Sequence, residues 1–133
     1  MRVIIAGSRK MYDYEIVRTT MSRILKGKDR KDILIISGAC PEGADALGEL
    51  FAKRNKLALK RFPAEWERYG KAAGPRRNAE MAVYAAEGGE DAMLVAFWDG
   101  ESPGTLNMIK AAQKEGLWIT TVNAFSGRHI VVT

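Results

Sequence analysis

Cys40 and His129 are the only cysteine and the only histidine in the chain. A lone cysteine excludes an internal disulfide, so a reducing cytoplasmic setting is expected. One thiol and one imidazole do not make a zinc set, and neither a metal nor a bound cofactor is expected. No apolar run approaches the roughly 20 residues that a membrane-spanning helix requires, so no membrane partner is expected. The apolar part of Met1-Arg2-Val3-Ile4-Ile5-Ala6-Gly7 is too short for a signal peptide and reads as a strand. Internal repeats, low-complexity tracts and linkers are also missing. The 133 residues, 47% of them hydrophobic, suit a single domain over residues 1–133.

What the chain does have is an uneven charge distribution. Its net charge of +5 combines a first part, residues 1–77, at net +9 with a remainder at net −4. A basic half can face nucleic acid or a small phosphorylated ligand, but most of these cations fall where amphipathic helices need a solvated face.

Apolar runs alternate with helical periodicity. Arg2 to Ala6, Ile33 to Ile36 and Ala92 to Phe97 read as buried strands, and Leu57 to Phe62 as a weaker edge strand. Leu117 to Val122 is a fifth strand, and the tail Gly127 to Thr133 could add a short sixth. Helices are expected from Tyr14 to Lys26 behind an Asp13 cap, from Gly43 to Asn55, from Asn78 to Glu87 and from Thr105 to Lys114. The second of these would turn Ala46, Leu47, Leu50 and Phe51 inward. Residues 63–75 read as irregular, with Gly70, Gly74 and Pro75 giving a lid freedom to move. Such alternation implies an α/β domain with a mainly parallel five-stranded sheet, order 3-2-1-4-5, and helices on both faces. Ligands then bind beyond the carboxyl ends of the strands, where the order reverses.

Glycine-rich turns follow strands one, two and four. Gly7-Ser8-Arg9 offers close backbone approach, a hydroxyl and a bidentate cation, though alone it is also an ordinary turn. Ser37-Gly38-Ala39-Cys40-Pro41-Glu42-Gly43-Ala44-Asp45 has the glycine spacing of a phosphate loop. It puts Ala44 and Asp45 where nucleotide hydrolases need Lys and a hydroxyl, which excludes a P-loop ATPase. No G-x-G-x-x-G follows a strand. Phe97-Trp98-Asp99-Gly100-Glu101-Ser102-Pro103-Gly104-Thr105 leads into a helix with Ser102 as cap and Pro103 first, leaving N–H groups for an anion. Trp98 is placed to stack on a base or ribose and Asp99 to accept from hydroxyls. Between them, Trp66, Tyr69, Lys71, Arg76, Arg77 and Asn78 interleave rings with cations, as a base-and-phosphate clamp does. Cys40 is taken as structural or incidental, His129 as outside every motif, and Met81, Met93 and Met108 as core residues.

Together these stretches, including Trp66…Tyr69-Gly70-Lys71-Ala72-Ala73-Gly74-Pro75-Arg76-Arg77-Asn78…Met81, resemble the YspA-like branch of the SLOG superfamily over about residues 2–122. That group is related to the LOG phosphoribohydrolases and to the DNA-processing protein DprA. The resemblance implies a Rossmann-like fold, a nucleotide or nucleotide-derived ligand, and homodimers or larger assemblies. The enzymes of the group pair an Arg in R-K-x-x-M with the Glu of P-G-G-x-G-T-x-x-E. Arg77 falls on that Arg, Asn78 on the Lys and Gly104-Thr105 on the G-T, but Met108 holds the Glu position. A thioether is neither a general acid nor a general base. Arg77, Asp99 and Glu101 remain as catalytic candidates.

The reading is therefore a protein that senses or processes a nucleotide-derived ligand at the crevice between strands one and four. Gly7, Ser8, Arg9, Gly38, Gly104 and Thr105 would cradle phosphate, and Ser37, Gly43, Gly100 and Ser102 are counted with them as ligand-binding residues. Asp45 and Asp99 would address ribose hydroxyls or orient the loops, while Arg77 and Trp66 would close over the ligand and Asn78 and Trp98 would also bind it. The alternatives are an N-glycosidic hydrolase or transferase and a nucleic-acid binder of the DprA kind.

Overall fold

The computed structural model describes residues 1–130. Five parallel strands, β1 (Arg2–Gly7), β2 (Leu34–Ser37), β3 (Ala58–Arg61), β4 (Met93–Trp98) and β5 (Trp118–Asn123), form one sheet in the order β3-β2-β1-β4-β5. That is a Rossmann-like α/β domain, as the alternation of strands and helices requires.

Alternate strand residues point to opposite faces and build two cores. Val3, Ile5, Ile35, Val95 and Phe97 pack with Val17 and Met21 of α1 (Tyr14–Ile24) and Phe51 of α2 (Gly43–Arg54). Ile4, Ala6, Ile36, Leu94 and Ala96 pack with Met81, Ala82 and Ala85 of α4 (Ala73–Ala86) and Met108, Ile109 and Ala112 of α5 (Pro103–Lys114). β3 is the open edge, with all four residues exposed. The β5 edge is partly covered by its own chain, through an isolated antiparallel bridge between Val122 and His129. The tail thus makes a bridge rather than a strand as far as it is described, and residues 131–133 lie outside the described part.

Two expectations need correction. The inner face of α2 is Gly43, Ala44, Asp45, Gly48, Phe51 and Ala52, while Ala46, Leu47 and Leu50 are only half-buried. Small residues let this helix lie close on the sheet: a Cβ on Gly48 would stand 2.7 Å from Ile5 Cγ2. Residues 63–75 are not an irregular lid either. They hold a short helix, α3 (Trp66–Tyr69), a 3-10 turn over Gly70–Ala72 and the start of α4 at Ala73, five residues before the expected Asn78. Pro75 is compatible because the first turn of a helix leaves its N–H groups unbonded anyway.

Candidate ligand-binding site

At the carboxyl ends of β1 and β4 lies a cavity of about 820 Å³, walled by the loops after β1, β2 and β4 and by α3, α4 and α5. It opens where the chain leaves β1 for one side of the sheet and β4 for the other, the crevice of a switch point.

Of the residues singled out in the sequence, Gly7, Ser8, Arg9, Asp45, Trp66, Arg77, Asn78, Asp99, Glu101, Ser102, Gly104 and Thr105 line it. Ser37, Gly38, Gly43, Trp98 and Gly100 do not. The Ser37 hydroxyl donates to Glu49 Oε2 at 2.6 Å and accepts from the Ala39 N–H, so it braces the second loop. Gly43, with φ of +74°, keeps the second loop on the first: a Cβ there would meet the Ser8 carbonyl oxygen at 2.3 Å. Beside it, the Ala44 N–H donates to that same carbonyl at 3.0 Å.

The turn after β4 departs from expectation in chemistry rather than in place. Trp98 is 9% exposed and its indole N–H donates to the Ser102 carbonyl at 3.0 Å, so its ring belongs to the core and is not free to stack. Ser102 stands at the cap position without a capping hydrogen bond from its side chain. Asp99 organises the turn instead, its Oδ1 accepting from Ser102 N–H at 2.7 Å and Glu101 N–H at 2.9 Å. Those two bonds hold its carboxyl below the ordinary value. With Pro103 first in α5 and the first backbone bond made by Leu106, the Gly104 and Thr105 N–H groups have no partner among the described residues. Thr105 is 5% exposed and its hydroxyl, likewise unbonded there, borders the cavity.

Asp45, on the first turn of α2, is 7% exposed and accepts from Cys40 N–H at 3.2 Å. Burial pushes its carboxyl up to about 6, against the pull of the Cys40 N–H and of the Arg77 charge. Burial also lowers the Arg77 guanidinium from its ordinary value, while Asp45 beside it works the other way. The two groups converge where a Gly38 side chain would stand: a Cβ there would lie 2.7 Å from Arg77 Nη1 and 2.8 Å from Asp45 Oδ2. Arg77 donates through Nη1 to the Gly38 carbonyl and through Nε to Asn78 Oδ1 at 2.9 Å. Trp66 is half-exposed at the rim, its ring over Gly74, where a Cβ would come to 3.3 Å.

Sequence reasoning missed Lys10, Cys40, Gly74, Pro75 and Asn107 as wall residues. Asn107 carried no signal of its own, since it follows Thr105 by two and residues two apart on a helix do not share a face. Met81 and Met108 are core residues, as expected, and also border the cavity. Met108 therefore presents a thioether, and not a carboxylate, at the cavity wall. Among the described residues, no group of three His, Cys, Asp or Glu side chains could hold a metal. No described helix is long and apolar enough to cross a membrane.

A profile of the YspA, cpYpsA-related SLOG family matches residues 1–69. The Gene 61 protein of Mycobacterium phage D29 is 32% identical over 121 residues, covering 87% of this chain and 91% of the phage protein. The chain belongs to the YspA, cpYpsA-related SLOG family. No solved structure matches it significantly. The family profile ends at Tyr69, so it takes in the first two loops of the site but not Arg77 or the start of α5.

Proposed function

We propose that this SLOG-family protein binds a nucleotide or nucleotide-derived ligand in the cavity between β1 and β4. The observation that carries the reading is the unbonded start of α5. Two free N–H groups and one free hydroxyl lie at a cavity that Ser8, Arg9 and Lys10 also line. A helix N-terminus with free amides attracts anions, and cations lining the same cavity suit a phosphate. Trp66 at the rim offers a face for a base, and Asp45 a carboxyl for sugar hydroxyls. The cavity has room for a base, a sugar and phosphate together. Sensing fits better than turnover, because Met108 offers no proton to transfer and the Asp99 carboxylate is held within its own turn.

One observation favours a second reading, an N-glycosidic hydrolase or transferase. Asp45 is a buried carboxyl in the same cavity whose pKa of about 6 suits proton transfer near neutral pH. A thermal-shift screen with AMP, ADP, ADP-ribose, NAD, cyclic nucleotides and nucleoside monophosphates, followed by chromatography of each mixture, separates the two. A raised melting temperature with intact ligand supports binding alone, and released base supports the enzyme. No shift with any of them contradicts both. Binding that weakens steeply with salt and extends to DNA would favour the nucleic-acid alternative.

A further inference from the structure

Two asparagines, one on α4 and one on α5, meet at the cavity wall. Asn78 donates through Nδ2 to Asn107 Oδ1 at 2.9 Å, and the same Nδ2 lies 3.5 Å from the Gly104 carbonyl oxygen. Asn78 is 6% exposed, so its amide has no solvent to choose a different partner from. On its other side its Oδ1 accepts from Arg77 Nε at 2.9 Å.

The direction of this chain does not depend on how either amide is assigned. A guanidinium can only donate, so the atom of Asn78 facing Arg77 has to be its oxygen. The Asn78 nitrogen must then face α5, so the atom of Asn107 that meets it has to be oxygen as well. Asn107 is left with its NH₂ turned away from Asn78. That group has no acceptor among the described residues, and Asn107 borders the cavity. Arg77 is itself anchored on the Gly38 carbonyl of the second loop, so one charge fixes the polarity of the whole wall.

We infer that Asn107 is a specificity-determining residue, whose NH₂, oriented by Arg77 through Asn78, selects a ligand presenting a hydrogen-bond acceptor at the α5 wall. This rests on the nucleotide-binding reading and deepens it. Arg77 and Asn78 are positioning residues here: they act by denying Asn107 its other orientation. The acceptor is a phosphoryl oxygen or an acceptor atom of the nucleoside. A donor placed there would face another donor and be rejected, because an unpaired polar group in a partly enclosed site is costly.

The test uses the full chain with AMP and adenosine as probes, titrated calorimetrically. Asn107→Asp keeps the size and the bond from Asn78 but turns an acceptor into the cavity. Asn78→Asp keeps the bond from Arg77 but cannot donate to Asn107, which frees the Asn107 amide to turn round. Asn107→Asp is expected to melt at the wild-type temperature without ligand and Asn78→Asp to stay folded with a lower melting temperature, and both are expected to bind AMP at least tenfold more weakly. A loss confined to AMP places the acceptor on the phosphate, and an equal loss for adenosine places it on the nucleoside. Both results support the inference. Asn107→Ser, which is shorter and uncharged, serves where Asn107→Asp fails to fold, and the same weakening is expected.

The amide signals of the Asn107 side chain give a second readout that a merely structural role would not move. They should shift on adding AMP to the wild type and also shift in ligand-free Asn78→Asp. Wild-type affinity in folded Asn107→Asp or Asn78→Asp overturns the inference while leaving the nucleotide reading in place. A wild-type chain that binds neither probe counts against that reading too, and the inference falls with it.

Discussion

Gly43 and Ser8 touch backbone to backbone: a Cβ on Gly43 would lie 2.3 Å from the Ser8 carbonyl oxygen and 2.4 Å from Arg9 Cα. The first and second loops of the site are thus one packed unit, joined where only glycine fits. Gly43→Ala must both strain a φ of +74° and push the loops apart. The expected cost is about 2–4 kcal/mol, which lowers the melting temperature by about 10 °C in a domain of this size. Gly104 is the contrast, since a Cβ there meets nothing within 4 Å. Gly104→Ala should therefore melt close to the wild type, as thermal denaturation would show.

Asp45 makes stability depend on pH in an unusual direction. Its folded pKa of about 6 lies above the ordinary aspartate value of 3.8, so the folded chain holds this proton more tightly than the unfolded one. The associated stabilisation is full below the unfolded value and is lost as pH rises through about 6. The loss amounts to about 3 kcal/mol. Asp45→Asn should lack this slope, matching the wild type near pH 3.5 and exceeding it at pH 7.5. Urea denaturation at both pH values checks the sign. Equal stabilities at pH 7.5 would mean that Asp45 is ionised in the folded state at little cost.

Arg77 ties α4 to the second loop and sets the polarity of the Asn78–Asn107 wall. Arg77→Ala removes charged hydrogen bonds and leaves the Gly38 carbonyl unpaired in a half-buried place. Both stability and nucleotide affinity should fall, the affinity by about 1.5–3 kcal/mol. Arg77→Lys retains the charge but not the forked geometry, so it should recover stability better than affinity. Parallel melting and titration of the two variants reads the difference.

Trp66 sits half-exposed at the rim with its ring over Gly74. Its removal opens little core, so Trp66→Ala should melt within about 1 kcal/mol of the wild type in stability. If the ring stacks on a base, affinity for nucleosides and nucleotides should fall together by about 1–3 kcal/mol. Titrations with adenosine and AMP measure it, and unchanged affinity for both would remove Trp66 from the site.

The sheet order was legible because five apolar runs alternate with helical periods, and the chain connectivity leaves few ways to pair them. The inner face of α2 was hidden because it packs by being small: Gly43, Ala44 and Gly48 carry no hydrophobic signal, yet they set how near the helix lies to Ile5. The early start of α4 was masked by Gly74 and Pro75, residues that usually punctuate structure but are harmless in a first helical turn. Trp98 looked like a stacking ring because it follows a strand at a glycine-rich turn. Its indole N–H instead closes that turn on the Ser102 carbonyl, a bond between residues four apart that periodicity does not reveal. Asn107 was invisible for a further reason. An asparagine on a helix surface is unremarkable until α4 brings Asn78 against it, across 29 residues of chain.

The most direct measurement is a titration of the ¹⁵N-labelled chain with AMP, followed through its backbone amide signals. The free N–H groups of Gly104 and Thr105 should move first and furthest, with Ser8 and Arg9, which line the same cavity, following. Shifts that leave Gly104 and Thr105 still while moving residues at the other end of the sheet, such as Lys28 and Asp91, would contradict the site. A spectrum unmoved by AMP at millimolar concentration would contradict the binding of a nucleotide phosphate in this cavity.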